Sequence, residues 1–548
     1  MEDILLKLKE IIVESLKKIF DINIKNDEVI IEIPKEKIHG DYSTNIAMRL
    51  AKTLHDSPKN IATKLVSELN NSDYFDKVEI AGPGFINFFY KKVSLTSVLK
   101  EILINKENFG KQDIGHKEKI MVEYVSANPT GDLHLGHARG AAFGDALTRL
   151  LKFTNYDVLR EYYVNDAGNQ INVLAKSLFL RYKEALGNEI NEDEIGYQGK
   201  DVKKLAKDIV RKEKDKYLKI SEDEALNYFK DIGTELELNK IKKDLDLFRV
   251  GFDNYTSERS LYSSNKVANT LNKLKESGFT YETDGALWLK TTEFGDDKDR
   301  VLIKKDGSYT YLLPDLAYHK DKFDRGYNNL INLFGADHHG YIIRLKAGLK
   351  ILGYNPNNLN ILIIQMVRLI DNGVEVKMSK RTGNAVTIRE LCEDVGVDAA
   401  RYFFLSRPLD SQFDFDLGIA RKHSNENPIF YIQYAGARMY SVLEKAKDYK
   451  IDIKDTYSLL TNEKEIELIK VLQEFKKVIK EASLTKEVNR LTSYAYKLAS
   501  TFHSLYNDEK FINEDNELTL ERLSLVLASL EVLKNTLNLL GIEVKKVM

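Results

Sequence analysis

One cysteine, Cys392, stands in 548 residues. No disulfide can form within the chain, and no thiolate cage for zinc can be built. Such usage fits a reducing, cytoplasmic compartment. No apolar run is long enough to span a bilayer. Net charge is almost absent, with 82 Lys and Arg against 84 Asp and Glu giving −2. A nucleic-acid ligand therefore cannot be read from global charge and would need local basic patches. There is no G-x-x-x-x-G-K-[ST] string, which disfavours a P-loop nucleotidase. Internal repeats and low-complexity tracts are missing too. The opening Met1-Glu2-Asp3-Ile4-Leu5-Leu6-Lys7 mixes acids and lysines, unlike a secretory signal.

What is present is ample core-forming material: 43% hydrophobic and 30% charged residues. At roughly 150 residues per domain, three or four domains are expected. Residues 1–112 read as an α+β unit. Ile4, Leu8, Ile11, Ile12 and Leu16 have helical spacing. Val29–Ile33 reads as a strand, as do Val78–Ile80 and Phe85–Tyr90 around a Gly82-Pro83-Gly84 turn. The polar stretch 105–117 suits a linker. A parallel α/β unit over 113–370 opens with a strand at Ile120–Val125, a loop, and a helix marked by Phe143, Ala146, Leu147 and Leu150. Val158–Val164, Ile331–Phe334 and Ile361–Ile364 are its further strands. A Lys- and Glu-rich helical insertion, about 175–300, ends in the β-like Gly285–Leu289. Residues 371–420 connect to an α-helical bundle over 421–548, with stripes such as Leu468, Leu472, Phe475 and Ile479.

Two strings carry chemistry. In Asn128-Pro129-Thr130-Gly131-Asp132-Leu133-His134-Leu135-Gly136-His137, the two histidines share one helix face if they lie on its first turn. A helix N-terminus suits phosphate, and Gly136 lets a flat base approach. The alternatives are a zinc pair or ordinary surface histidines. The second string is Val376-Lys377-Met378-Ser379-Lys380-Arg381-Thr382-Gly383-Asn384, where Lys377 and Lys380 can follow a departing phosphate or simply be solvated. Gly335-Ala336-Asp337-His338-His339-Gly340 reads as a strand-end loop lining a nucleotide pocket rather than a metal site. No protein-held metal is expected.

These strings resemble the HIGH and KMSKS signatures of class I aminoacyl-tRNA synthetases. Val122-Glu123-Tyr124-Val125-Ser126-Ala127-Asn128-Pro129-Thr130 is similar to the arginyl-tRNA synthetase family in particular. So are Asn165–Gln170, Tyr311-Leu312-Leu313-Pro314-Asp315, Asn427–Arg438, His39-Gly40-Asp41-Tyr42 and the ending from Leu539 to Met548. The resemblance implies a Rossmann-like catalytic core with an inserted segment, an N-terminal tRNA-contacting domain and a helical anticodon-binding domain. It implies a cytoplasmic monomer whose substrates are L-arginine, ATP with Mg²⁺, and tRNA(Arg).

By the same resemblance Glu123 and Asp315 hold the guanidinium, helped by Tyr311, and Asn128 binds the backbone groups of arginine. Carboxylates suit that planar fork of donors. Read alone, Glu123 could be an edge-strand acid and Asp315 a turn residue or helix cap. His134, His137, Lys377 and Lys380 are the implied catalytic residues. Gly136, Asp337, His339, Met378 and Ser379 complete the implied ATP site. Tyr431, Tyr434 and Arg438 fall at i, i+3, i+7, a face that fits either stacking on unpaired bases or plain helix packing. Lys476, Lys477 and Lys480 could touch phosphate or form a solvated face. The implied chemistry is attack of the arginine carboxylate on the α-phosphate of ATP, then transfer to the terminal 2′-hydroxyl of tRNA, with bound tRNA needed for the first step. No editing domain is expected, since unpaired acceptors would reject lysine. A synthetase for another amino acid and a non-catalytic RNA-binding relative are the competing readings.

Overall fold

A computed structural model describes residues 2–34, 36–72, 74–376 and 386–548. The strand Lys119–Glu123 lies at the centre of the catalytic sheet. Its Ile120, Met121 and Val122 are at most 1% exposed, as expected for a strand covered on both faces. The sheet is parallel and five-stranded, ordered Leu359–Ile364, Asn329–Gly335, Lys119–Glu123, Asp157–Val164, Asn254–Ser257. The chain starts in the middle, winds one way, then returns to wind the other. The switch falls between Lys119–Glu123 and Asn329–Gly335, and a crevice opens beyond the carboxyl ends of strands at such a point.

The first crossover helix, Leu135–Phe153, buries Ala138, Ala141, Ala142, Ala146, Leu147 and Leu150 completely. Its small residues bring it close to the sheet. A Cβ at Gly144 would lie 2.3 Å from the Tyr124 ring. Within the expected insertion, the helices Asn169–Ala185, Lys200–Glu213 and Glu222–Leu247 form a separate core around Phe179, Tyr182 and Phe229. The chain then re-enters the main sheet as its edge strand Asn254–Ser257. That short, half-buried strand carries no apolar alternation to announce it. A small antiparallel sheet follows, Thr280–Thr283, Ala286–Leu289 and Arg300–Ile303. It is roofed by helices that include Leu312–Asp324.

The N-terminal unit is a four-stranded antiparallel sheet with helices. Leu8, Ile12 and Leu16 are fully buried on one face of Glu2–Phe20. This unit docks on the C-terminal bundle. Gln473 Nε2 donates to Leu95 O at 2.9 Å, and Tyr457 N–H donates to Thr96 Oγ1 at 3.1 Å. The stretch expected to be a linker is packed as well: Asn535 Nδ2 donates to Lys106 O, and the Phe109 and Phe475 rings stack at 5.9 Å. The bundle consists of Pro428–Lys445, Glu463–Thr485, Asn489–Asp508 and Asn516–Leu539. A fully buried pair, Arg401 with Asp145 at 2.5 Å, joins it to the catalytic helix, because Arg401 Nε also donates to Leu540 O. Among the described residues, no helix is long and apolar enough to cross a membrane.

Candidate active site

A cavity of about 870 Å³ opens at the carboxyl ends of the two switch strands. Glu123, Asn128, Tyr311 and Asp315 all line it, together with Tyr163, Gln170 and Tyr341. The four residues that the resemblance ties to arginine therefore converge, although they come from a strand end, a loop and the start of a helix.

Glu123 ends its strand only 6% exposed. It is not a water-facing edge acid. Its Oε2 pairs with Lys322 Nζ, which is wholly buried, and its Oε1 accepts from Ser126 Oγ at 3.1 Å. Asp315 sits in the first turn of Leu312–Asp324. It does not cap that helix. Its Oδ2 accepts from Tyr341 Oη instead. Burial pushes the Asp315 carboxyl up to about 7, opposed by the Tyr341 hydrogen bond and reinforced by the carboxylates of Glu258 and Glu123. Burial raises Glu258 as well. The cavity thus gathers the carboxyls of Glu123 and Asp315 at one place, although Arg300 and Arg344 line it as well. Tyr311 precedes the helix with its ring 77% exposed over this space. Asn128 Nδ2 donates to Gln170 Oε1 at 2.7 Å.

The loop after Glu123 leads directly to the first signature. His134 is the N-cap of Leu135–Phe153, and Gly136 N–H donates to its Nδ1 at 3.2 Å. His137 Nδ1 in turn accepts from His134 N–H at 3.3 Å. The two rings lie 4.0 Å apart. Both Nδ1 atoms accept, so each neutral ring carries its proton on Nε2. Burial lowers His137 to about 4, with His134 adding to the shift, and burial lowers His134 as well. Two neutral Nε2–H donors at a helix N-terminus suit phosphate oxygens. Gly136 has a further reason to be glycine: a Cβ there would sit 3.0 Å from His134 Cε1.

Lys377, Met378, Ser379 and Lys380 lie outside the described residues. The chain resumes beside the first signature, where Thr387 bridges His134 and Ile388 N–H donates to Leu133 O at 2.8 Å. Asp337 and His339 belong to the short helical segment Ala336–Tyr341 after the strand Asn329–Gly335, but their side chains are outside the described residues. Among the described residues, no group of three His, Cys, Asp or Glu could hold a metal.

Tyr431, Tyr434 and Arg438 share one half-buried face of Pro428–Lys445. The Arg438 guanidinium lies between the rings of Tyr434 at 4.4 Å and Tyr506 at 4.5 Å and bonds His503 Nδ1 at 3.0 Å. Tyr431 packs on His503 at 4.5 Å and on Tyr496 at 5.5 Å. The packing alternative is met by these contacts, while the rings remain partly open.

Tyr341, His319 and Lys322 are not singled out by the sequence motifs. The spacing of two of them gives only a weak signal. Asp315, His319 and Lys322 fall at i, i+4, i+7 and so share one helix face, but Lys320, Asp321 and Asp324 on the same helix blur that pattern.

Three family models match the chain. They are the arginyl tRNA synthetase N-terminal domain over residues 6–90, the class I (R) tRNA synthetase catalytic domain over 98–404, and the DALR anticodon binding domain over 432–548. An arginine–tRNA ligase 1 of Halalkalibacterium halodurans is 52% identical over 520 residues, 94% of each chain. An arginine–tRNA ligase of Geobacillus kaustophilus is 52% identical over 526 residues, 95% of this chain and 94% of its own. Among solved structures, the arginyl-tRNA synthetase of Thermus thermophilus has a similar fold, with TM-score 0.72 at 21% identity over 99% of both chains. That of Plasmodium falciparum gives 0.71 at 20% identity over the full length of both. With its three segments matched in order and relatives half identical along nearly all its length, the chain belongs to the class I arginyl-tRNA synthetase family.

Proposed function

We propose that this chain ligates L-arginine to its cognate tRNA at the expense of ATP, through an arginyl-adenylate, releasing AMP and pyrophosphate. The observation that carries the reading is the acidic cavity at the strand switch, joined by one loop to a helix start bearing two neutral imidazoles. Asp315 takes the guanidinium, with Glu123 beside it and Tyr311 covering the ligand's aliphatic stem. Asn128, oriented by Gln170, binds the α-amino and carboxylate groups. The carboxylate then faces the α-phosphate of ATP, whose oxygens accept from Nε2 of His134 and His137. ATP brings its Mg²⁺ with it. Lys377 and Lys380 neutralise the departing pyrophosphate, while Gly136, Met378, Ser379, Asp337 and His339 line the remainder of the ATP site. Catalysis here is positioning plus stabilisation of spreading charge, so no covalent enzyme intermediate is required. In the second step the terminal 2′-hydroxyl of tRNA attacks the adenylate carbonyl.

We further propose that Tyr431, Tyr434 and Arg438 meet unpaired bases of the anticodon loop, and that the chain acts as a cytoplasmic monomer. The test is ATP–pyrophosphate exchange against each of the twenty amino acids with total tRNA present. Exchange with arginine alone is expected. Exchange with another amino acid, or with none from folded protein, would overturn the reading.

A further inference from the structure

Lys322 is an unusual group to find beneath an arginine site. It is wholly buried, yet it places an ammonium group close to where another cation must bind. Its Nζ is held by Glu123 Oε2 and by Asn332 Oδ1 at 3.2 Å, and it lies 4.2 Å above the Tyr318 ring. Asn332 is itself fixed, because its Nδ2 donates to His319 Nε2 at 2.8 Å. His319 Nδ1 then donates to Asp315 O at 2.8 Å, so the chain of bonds ends on the backbone of the second acid of the site. His319 stays neutral, held down to about 3 by burial and by Lys322. That tautomer gives every member of the chain a donor for each acceptor. The parallel register sets Asn332 directly beside Glu123, so the sheet itself aligns the network.

We propose that Lys322 is a positioning and specificity-determining residue of the arginine site, acting through Glu123. It locks one carboxylate oxygen below the cavity, which turns the other, already bonded to Ser126, toward the ligand. It also balances the Glu123 charge, so that an entering monocation is matched against Asp315. A guanidinium, with several donors and one charge, satisfies both acids. An ammonium with the same charge has too few donors at that reach. This inference rests on the reading of Glu123 as an arginine contact, and the test separates the two.

Arginine and ATP KM values are measured by pyrophosphate exchange with tRNA present for Glu123→Gln, Lys322→Met and the double variant. Each single variant is expected to raise the arginine KM about tenfold or more, the scale of a lost charge-assisted hydrogen bond, with the ATP KM little changed. The double variant is expected to match Glu123→Gln, since Lys322 has nothing to act through once that charge is gone. An unchanged arginine KM in Glu123→Gln would remove the Glu123 reading. A raised KM there with a normal one in Lys322→Met would overturn the proposal alone. So would equal rises in both KM values for Lys322→Met, or multiplicative effects in the double variant. Should Lys322→Met fail to fold, the double variant, which leaves no unpaired buried charge, is compared with Glu123→Gln. Equal arginine KM values support the proposal, and a higher value in the double variant overturns it.

Discussion

On the proposal that Asp315 receives the guanidinium, arginine binding should expel a proton near neutral pH, because burial leaves that carboxyl partly protonated there. Burial holds Asp315 near 7, with Glu258 and Glu123 adding to the effect. The bound cation favours the carboxylate, so affinity rises as pH rises through that value. With a value of about 7, the ionised fraction is about one in eleven at pH 6 and about ten in eleven at pH 8, so arginine should bind about tenfold more tightly at the higher pH. Two buried imidazoles near the site do not mask this. His137 and His319 are lowered to about 4 and about 3, and titrate well below the window. Titration calorimetry with tRNA present, in buffers of different ionisation enthalpy, should detect release of about half a proton per arginine at pH 7. Asp315→Asn should abolish the release and weaken arginine binding about 10- to 150-fold, the loss of a charged hydrogen-bond partner worth about 1.5–3 kcal/mol. Linkage gives a second readout. A carboxyl raised in the fold stabilises it at low pH, and that contribution is lost as pH rises through the folded value. Asp315→Asn should therefore raise the ligand-free melting temperature at pH 8 more than at pH 4. Arginine affinity that is flat between pH 6 and 8, with no proton released, would refute the reasoning.

His137→Ala should lower turnover by roughly 10²–10³, the scale for one lost transition-state donor, while the melting temperature moves little. A large stability loss with near-normal activity would instead make His137 a packing residue. Arg401→Met should cost about 1.5–3 kcal/mol in chemical denaturation, since Asp145 loses its buried partner and keeps only Arg149, and a neutral result would contradict the buried pair's role in joining bundle to catalytic helix. Tyr434→Ala should weaken tRNA binding by about 1–3 kcal/mol, the range for one base stack, leaving tRNA-independent arginine binding unchanged. A uniform loss of stability with normal tRNA affinity would favour simple helix packing.

The amino-acid pattern alone marks much of this fold. The helix after His134 and the apolar stripes of the bundle follow from periodicity, because burial on one face leaves its period in the chain, while the strand around Ile120, covered on both faces, shows as an unbroken apolar run. The convergence of Glu123, Asn128, Tyr311 and Asp315 is legible only through resemblance, since no local pattern links a strand end to a helix start nearly two hundred residues on. The strand Asn254–Ser257 leaves no such mark, because a short, half-buried edge strand is held by its neighbour's backbone rather than by its own hydrophobicity. The stretch 105–117 reads as a linker because its polar groups give no hint of the bundle surface that bonds them. Lys322 is hidden for a similar reason: a lysine reads as solvent-facing until its partner across the sheet is known.

A crystal structure with a non-hydrolysable arginyl-adenylate analogue tests the central claim most directly. The guanidinium is expected against Asp315 and Glu123, with the phosphate oxygens within hydrogen-bond reach of Nε2 of His134 and His137. An analogue seated outside the cavity, or with its phosphate facing the acids, would contradict the account.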